Sequence, residues 1–194
     1  MKTDLKLRFE TPKEWVDTVL ADFNSFLQDH ADCERKASSM AMSFVAKCPD
    51  KIKIIPELIE TALEELVHFK LVYEIMETRG VPLKSEMEKD FYINDLMKTI
   101  RSSSNERLLD RMVLASIIEM RGAERFKMIA DNIEDEELSK FYTMLYLSEA
   151  KHGDVFKELA SHYWPVEEID IRMDNLLDRE AEICSKLKFR AALH

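Results

Sequence analysis

Glu65-Leu66-Val67-His68 sets a carboxylate and an imidazole three residues apart, and the same spacing returns in Glu149-Ala150-Lys151-His152. In a helix a three-residue step brings both side chains onto one face. Each pair can therefore grip one metal ion. Apolar residues surround both glutamates at helical spacing: Leu58, Ala62, Leu66, Phe69, Val72 and Met76 recur at threes and fours around Glu65, and Tyr142, Leu145, Tyr146 and Phe156 flank Glu149. That period belongs to a helix with one face in a core, so both carboxylates are expected to point inward.

Burying an ionised carboxylate is costly unless it is paired or coordinates a metal. The apolar neighbours bring no Lys or Arg to these positions, which leaves a metal as the compensating charge. Two more glutamates sit in comparable surroundings. Glu34 lies among Leu27, Ala31, Ala37 and Ala41, and Glu119 among Met112, Ala115, Gly122, Ala123 and Phe126. From Glu34 to Glu65 is 31 residues and from Glu119 to Glu149 is 30, so the chain reads as two helical hairpins of equivalent internal geometry. Glu124 competes with Glu119 for the third helix, and axial rise decides between them. With a turn centred near residue 133, Glu119 and Glu149 stand at similar heights, whereas Glu124 is displaced by roughly 10 Å. Glu119 is thus the expected ligand, and Glu124 a neighbour of the site or a partner of a nearby arginine.

One glutamate from each of two helices plus Glu-x-x-His from each of the other two is the ligand set of ferritin-like di-iron carboxylate bundles. The expected fold is therefore all-α, a ferritin-like four-helix bundle with additional short and C-terminal helices. Glu65 and Glu149 are assigned as bridges, Glu34 and Glu119 as terminal carboxylates, and His68 and His152 as one nitrogen ligand per metal. Carboxylate oxygens with a single imidazole per ion suit iron or manganese better than zinc, whose structural sites favour cysteine and histidine.

Working outward, Thr11-Pro12-Lys13-Glu14 carries an N-cap threonine, a proline at the first helical position and a glutamate three residues after the cap. A break is expected near Asp22 to Asn24, then a main helix over 25–47 that ends at Cys48-Pro49-Asp50. The second helix should run from Pro56 to Arg79, where Gly80 can take the left-handed capping conformation and Pro82 prevents continuation. A short helix over about 89–100 follows. Ser103 and Glu106 have capping-box spacing ahead of a third long helix reaching about Asp131. The fourth continues past Asp135 to Tyr163, and Pro165 separates it from a C-terminal helix over about 166–189. No low-complexity segment interrupts the chain, which predicts one domain over 1–194.

Composition agrees with helices, since only 3 glycines and 5 prolines occur in 194 residues. Met1 to Trp15 is charged and lacks a signal-peptide core, and nowhere is an uncharged apolar run long enough to span a bilayer. A cytoplasmic protein with no membrane partner is expected. Cys33, Cys48 and Cys184 lack Cys-x-x-Cys spacing and fit reduced packing thiols. The net charge of −10 weighs against a nucleic-acid partner. Two buried divalent ions would offset about four of those charges.

Several residues admit two readings. His30, four before Glu34, is either a hydrogen-bonding group behind the ligands or a structural histidine. Tyr142 and Tyr146 either bond a carboxylate and guide oxygen chemistry or simply pack. Arg107, Arg111, Arg121 and Arg125, with Arg101 and Lys127, form either a phosphate-binding surface or a solvated face with salt bridges.

The ligand segments also resemble a known family, the MiaE-type tRNA hydroxylases. The similarity is carried by Asp29-His30-Ala31-Asp32-Cys33-Glu34-Arg35-Lys36-Ala37, Glu64-Glu65-Leu66-Val67-His68-Phe69 and Arg79-Gly80-Val81-Pro82. It continues in Ile118-Glu119-Met120-Arg121-Gly122-Ala123-Glu124-Arg125-Phe126, Phe141-Tyr142 and Ser148-Glu149-Ala150-Lys151-His152. The ending Phe189-Arg190-Ala191-Ala192-Leu193-His194 matches only part of the arginine, aromatic and histidine tail of that family. The resemblance implies an O2-dependent monooxygenase that uses two iron ions (Fe2+/Fe3+). Its substrate would be the isopentenyl group of a modified adenosine next to the anticodon of tRNA. An external electron donor, a redox partner protein or a reductant, is implied as well, and a monomer is expected. The alternative from the ligand set alone is a ferritin-like iron-oxidising or iron-storage protein, which would form shells holding many irons per chain.

Overall fold

The computed structural model describes residues 6–86 and 89–194, so part of the charged opening stretch, residues 1–5, lies outside the described residues. Among the described residues there are seven helices and no strand: α1 (Lys13–Ala21), α2 (Phe23–Lys47), α3 (Ile55–Arg79), α4 (Phe91–Met97), α5 (Ser104–Asn132), α6 (Glu136–Ser161) and α7 (Val166–Cys184). Contacts group the chain into two compact units. One comprises Met1–Val16, Asp90–Lys188 and His194; the other comprises Asp17–Lys89 and Phe189–Leu193.

In the second unit α2 and α3 form an antiparallel hairpin. The Asp22 side chain accepts from Ser25 N and so caps α2 at the expected break. Gln28 donates to the Pro82 carbonyl (2.6 Å), and nearly three turns further along α2 Ser38 donates to the Ala62 carbonyl (2.8 Å). Moving forward on α2 thus means moving back on α3. Gly80 closes α3 at φ 67°, the left-handed region where a side chain is penalised. The buried face of α3 is Leu58, Thr61, Ala62, Glu65, His68, Val72 and Met76. This corrects the expected stripe at two places. Leu66 is exposed and Phe69 only half-buried, because the helix is rotated to give the inward positions to Glu65 and His68.

In the first unit α5 and α6 are likewise antiparallel. Ser116 donates to the Gly153 carbonyl (2.6 Å) and Ser139 to the Ala130 carbonyl (2.8 Å). Asp135 caps α6 by accepting from Glu137 N and Leu138 N. α7 lays Ile169, Met173, Leu176, Leu177, Glu180 and Cys184 inward, and Arg172 ties it to Asp110 of α5 (Nε to Oδ1, 2.7 Å).

Two details of the helix ends differ from expectation. Ser103 does precede α5, but its hydroxyl donates to the Glu106 carboxylate and makes no side-chain cap bond to the backbone. The C-terminal helix stops at Cys184, five residues early. There the bonds tighten, with Lys186 N to the Ile183 carbonyl and Leu187 N to the Cys184 carbonyl, the three-residue step that commonly ends a helix. Among the described residues no helix is long and apolar enough to cross a membrane. No disulfide joins Cys33, Cys48 or Cys184.

Candidate metal centre

Each hairpin gathers its own trio of donors. On α2 and α3, Glu34, Glu65 and His68 offer ligand atoms within 4.8 Å of one another. The three-residue step on α3 places His68 Nδ1 3.4 Å from Glu65 Oε2, and the antiparallel register brings Glu34 Oε2 to 3.7 Å from the same nitrogen. Glu34 Oε1 is taken by His30 Nε2 at 2.6 Å. His30 is wholly buried and stands behind Glu34.

On α5 and α6, Glu119, Glu149 and His152 also lie within 4.8 Å of one another. His152 Nδ1 is 3.4 Å from Glu149 Oε2, the separation found in the other hairpin. Small residues make the room. A Cβ placed on Gly122 would meet only the Glu149 Cγ, at 3.9 Å, whereas one on Gly153 would come within 3.0 Å of Met120 Cγ and 3.4 Å of the Ser116 carbonyl oxygen. α5 and α6 are therefore tightly packed at Gly153, beside His152.

The six donors are between 1% and 7% exposed. Four carboxylates at that depth cannot remain ionised without compensating charge. In each trio two carboxylates and one imidazole converge, a donor set that fits a hard divalent or trivalent ion such as iron or manganese. The residues present thus suit the metals expected from the sequence.

Glu124 belongs elsewhere. Its oxygens accept from Thr11 N (3.0 Å) and Thr11 Oγ1 (2.6 Å), and it pairs with Arg121. The Thr11 hydroxyl also accepts from Arg121 Nη1 at 3.0 Å. Tyr142 is fully buried, with its ring 5.7 Å from Phe126 and edge-on to Phe141; Tyr146 is half-buried.

The basic surface read along α5 needs correction. Arg121 is 0% and Arg125 4% exposed, so neither presents a guanidinium to an RNA phosphate. Arg121 donates to Glu180 Oε1 (2.8 Å), Glu180 Oε2 (3.0 Å) and the Phe9 carbonyl (2.8 Å). Burial alone would lower its pKa, yet the Glu180 carboxylate more than reverses that and keeps it charged. Arg125 lies over the Trp15 ring at 5.1 Å, and burial pushes its pKa down. Arg107 is exposed and Arg111 half-buried, and Arg107 donates to the Ser102 carbonyl (2.8 Å).

Sequence reasoning missed the cluster around Glu180. Tyr92 Oη (3.2 Å) and Cys184 Sγ (3.1 Å) both donate to Glu180 Oε1. The available signal was a glutamate within the apolar stripe of the C-terminal helix, the same signal that marks the metal ligands. Asp110 repeats the pattern: it is buried in the stripe of α5 and receives Arg101 Nη2 and Arg172 Nη2, each at 2.7 Å.

Comparison with known proteins places this geometry in context. A family model described as tRNA-(MS[2]IO[6]A)-hydroxylase (MiaE) matches residues 2–194. A Pseudomonas putida protein named tRNA 2-(methylsulfanyl)-N(6)-isopentenyladenosine(37) hydroxylase is 37% identical over 180 residues, covering 93% of this chain and 86% of its own length. A Salmonella typhimurium protein of the same name is 30% identical over 131 residues, covering 68% and 47% respectively. Among solved structures, Protein 43 with aldehyde deformylating oxygenase activity from Synechococcus superposes with a TM-score of 0.91 at 30% identity, over 97% of this chain and 94% of that one. The fold class is all-α and ferritin-like, as expected from the ligand spacing.

Proposed function

The chain belongs to the MiaE family of tRNA hydroxylases, and from that premise we propose that it hydroxylates the isopentenyl group of a modified adenosine beside the anticodon, using two iron ions. The observation that carries the reading is the repeated trio, Glu34 with Glu65 and His68, and Glu119 with Glu149 and His152, each buried and each with one imidazole 3.4 Å from its own carboxylate. Each trio would hold one iron, with the whole chain acting as one domain.

Held by these residues, two ferrous ions would supply the reductive activation of O2 that puts one oxygen atom into an allylic C–H bond and releases the other as water, with two electrons and two protons from an external donor and solvent. The protein's own contribution is placement and shelter. Glu-x-x-His on a rigid helix fixes two donors at once, and the buried apolar face around each trio keeps bulk water from the reacting carbon. A modified base must leave its stack to reach buried donors, and an anticodon loop, being single-stranded, permits that most readily. Of the four arginines read along α5, Arg107 and Arg111 remain candidates to meet loop phosphates, Arg121 and Arg125 having been claimed by the interior. On this reading the protein acts in the cytoplasm as a monomer.

Iron analysis of the purified chain beside Glu65→Ala tests the assignment. The proposal expects a monomer with two irons per chain in the wild type, and loss of iron with retained helicity in the variant. A wild type without iron, or a shell-forming oligomer with many irons per chain, would contradict it.

A further inference from the structure

The two donor trios match in their carboxylates and imidazoles but differ one turn earlier. Four residues before Glu34 stands His30, wholly buried, with Nε2 2.6 Å from Glu34 Oε1. Four residues before Glu119 stands Ala115, equally buried, whose methyl group can donate nothing. An ionised carboxylate only accepts hydrogen bonds, so His30 is the donor through Nε2–H. Such charge-assisted bonds are among the stronger ones in a protein interior. The imidazole is itself held in place, with the Phe26 ring 5.6 Å away and tilted by 32°. With Oε1 engaged, the other oxygen of Glu34 faces the metal side, 3.7 Å from His68 Nδ1.

We propose that His30 is a positioning residue for the metal half-site of the α2–α3 hairpin. It turns Glu34 so that Oε2 alone serves the ion of the α2–α3 hairpin, a restraint that no side chain at position 115 can impose on Glu119. The inference rests on the metal reading above and adds to it a residue that sets the affinity for one of the two ions.

Removing a group that orients a metal ligand typically costs about tenfold to a hundredfold in affinity. The test is an anaerobic titration of full-length, chelator-stripped protein with cobalt(II), followed by visible absorption and calorimetry. Wild type should take up two cobalt ions per chain. His30→Ala should weaken the binding of one ion by about tenfold or more and leave the other within about twofold. His30→Gln, whose amide can restore the donor, should recover most of the loss. If His30→Ala does not fold, His30→Met keeps the volume without an N–H and should likewise weaken the binding of a single ion. Two unchanged affinities, two equally shifted affinities, or failure of glutamine to restore binding would overturn the role of His30 while leaving the metal reading intact. A wild type that fails to bind two ions would overturn both.

Discussion

Arg121 Nε lies 2.8 Å from Glu180 Oε1 across 59 residues of sequence, and both side chains are completely buried. Breaking a buried ion pair from one side leaves the other charge without compensation. Arg121→Met is therefore expected to lower unfolding stability by about 3–5 kcal/mol. Replacing both partners, Arg121→Met with Glu180→Leu, should recover much of that loss, because two apolar groups need no pairing. Denaturant titrations of the single and double variants check this. A single variant as stable as the wild type would remove Arg121 from the interior and return it to the surface.

Cys184 shares the Glu180 carboxylate, and its reactivity follows from that position. Burial, reinforced by the neighbouring negative charge, pushes the thiol up to about 12 from an ordinary 9.0. Since the thiolate is the nucleophile, Cys184 should react with an alkylating reagent roughly a thousandfold more slowly than an ordinary thiol, while Cys33 and Cys48, both partly exposed, react first. The raised value also has a stability sign. The folded state holds this proton more tightly than the unfolded chain, so the contribution is complete below pH 9 and is lost as pH rises toward 12. Cys184→Ala should flatten that alkaline decline in melting experiments.

Two glycine-to-alanine changes in the α5–α6 hairpin should have opposite signs. A methyl at Gly153 would stand 3.0 Å from Met120 Cγ and 3.4 Å from the Ser116 carbonyl oxygen, so overpacking should cost about 1–3 kcal/mol and displace the adjoining His152. A methyl at Gly122 meets only Glu149 Cγ at 3.9 Å, an ordinary contact, and alanine's helix propensity should add up to about 1 kcal/mol. Thermal melts with metal content measured in parallel would reveal the contrast; equal effects would mean that the two helices do not approach as described.

Much of this was legible in the sequence because the decisive signal is local. A three-residue step fixes Glu65 with His68 and Glu149 with His152 on their helices whatever the rest of the chain does, and Gly80 with Pro82 marks the end of α3 for equally local reasons. The assignment of charged residues to inside or outside was harder. Arg121 and Arg125 have the four-residue spacing of a solvated basic face, yet their compensation comes from Glu180 and Trp15 in distant segments. Glu180 and Asp110 sit in apolar stripes just as the metal ligands do, and what distinguishes them is an arginine: Arg121 reaches Glu180 from 59 residues away and Arg172 reaches Asp110 from 62. Spacing along one helix does not disclose such a partner. A buried carboxylate in a helical stripe therefore signals a need for positive charge, which a metal or a distant guanidinium can meet.

The most direct test of the central claim is to load the purified protein with ferrous iron, supply a reductant and isotopically labelled O2, and present tRNA carrying the methylthio-isopentenyl adenosine. Nucleosides released from that tRNA would then be weighed by mass spectrometry. The account predicts that the modified adenosine gains one labelled oxygen atom, and that the Glu65→Ala variant yields none. An unchanged nucleoside mass, from wild-type protein verified to hold two irons, would contradict it.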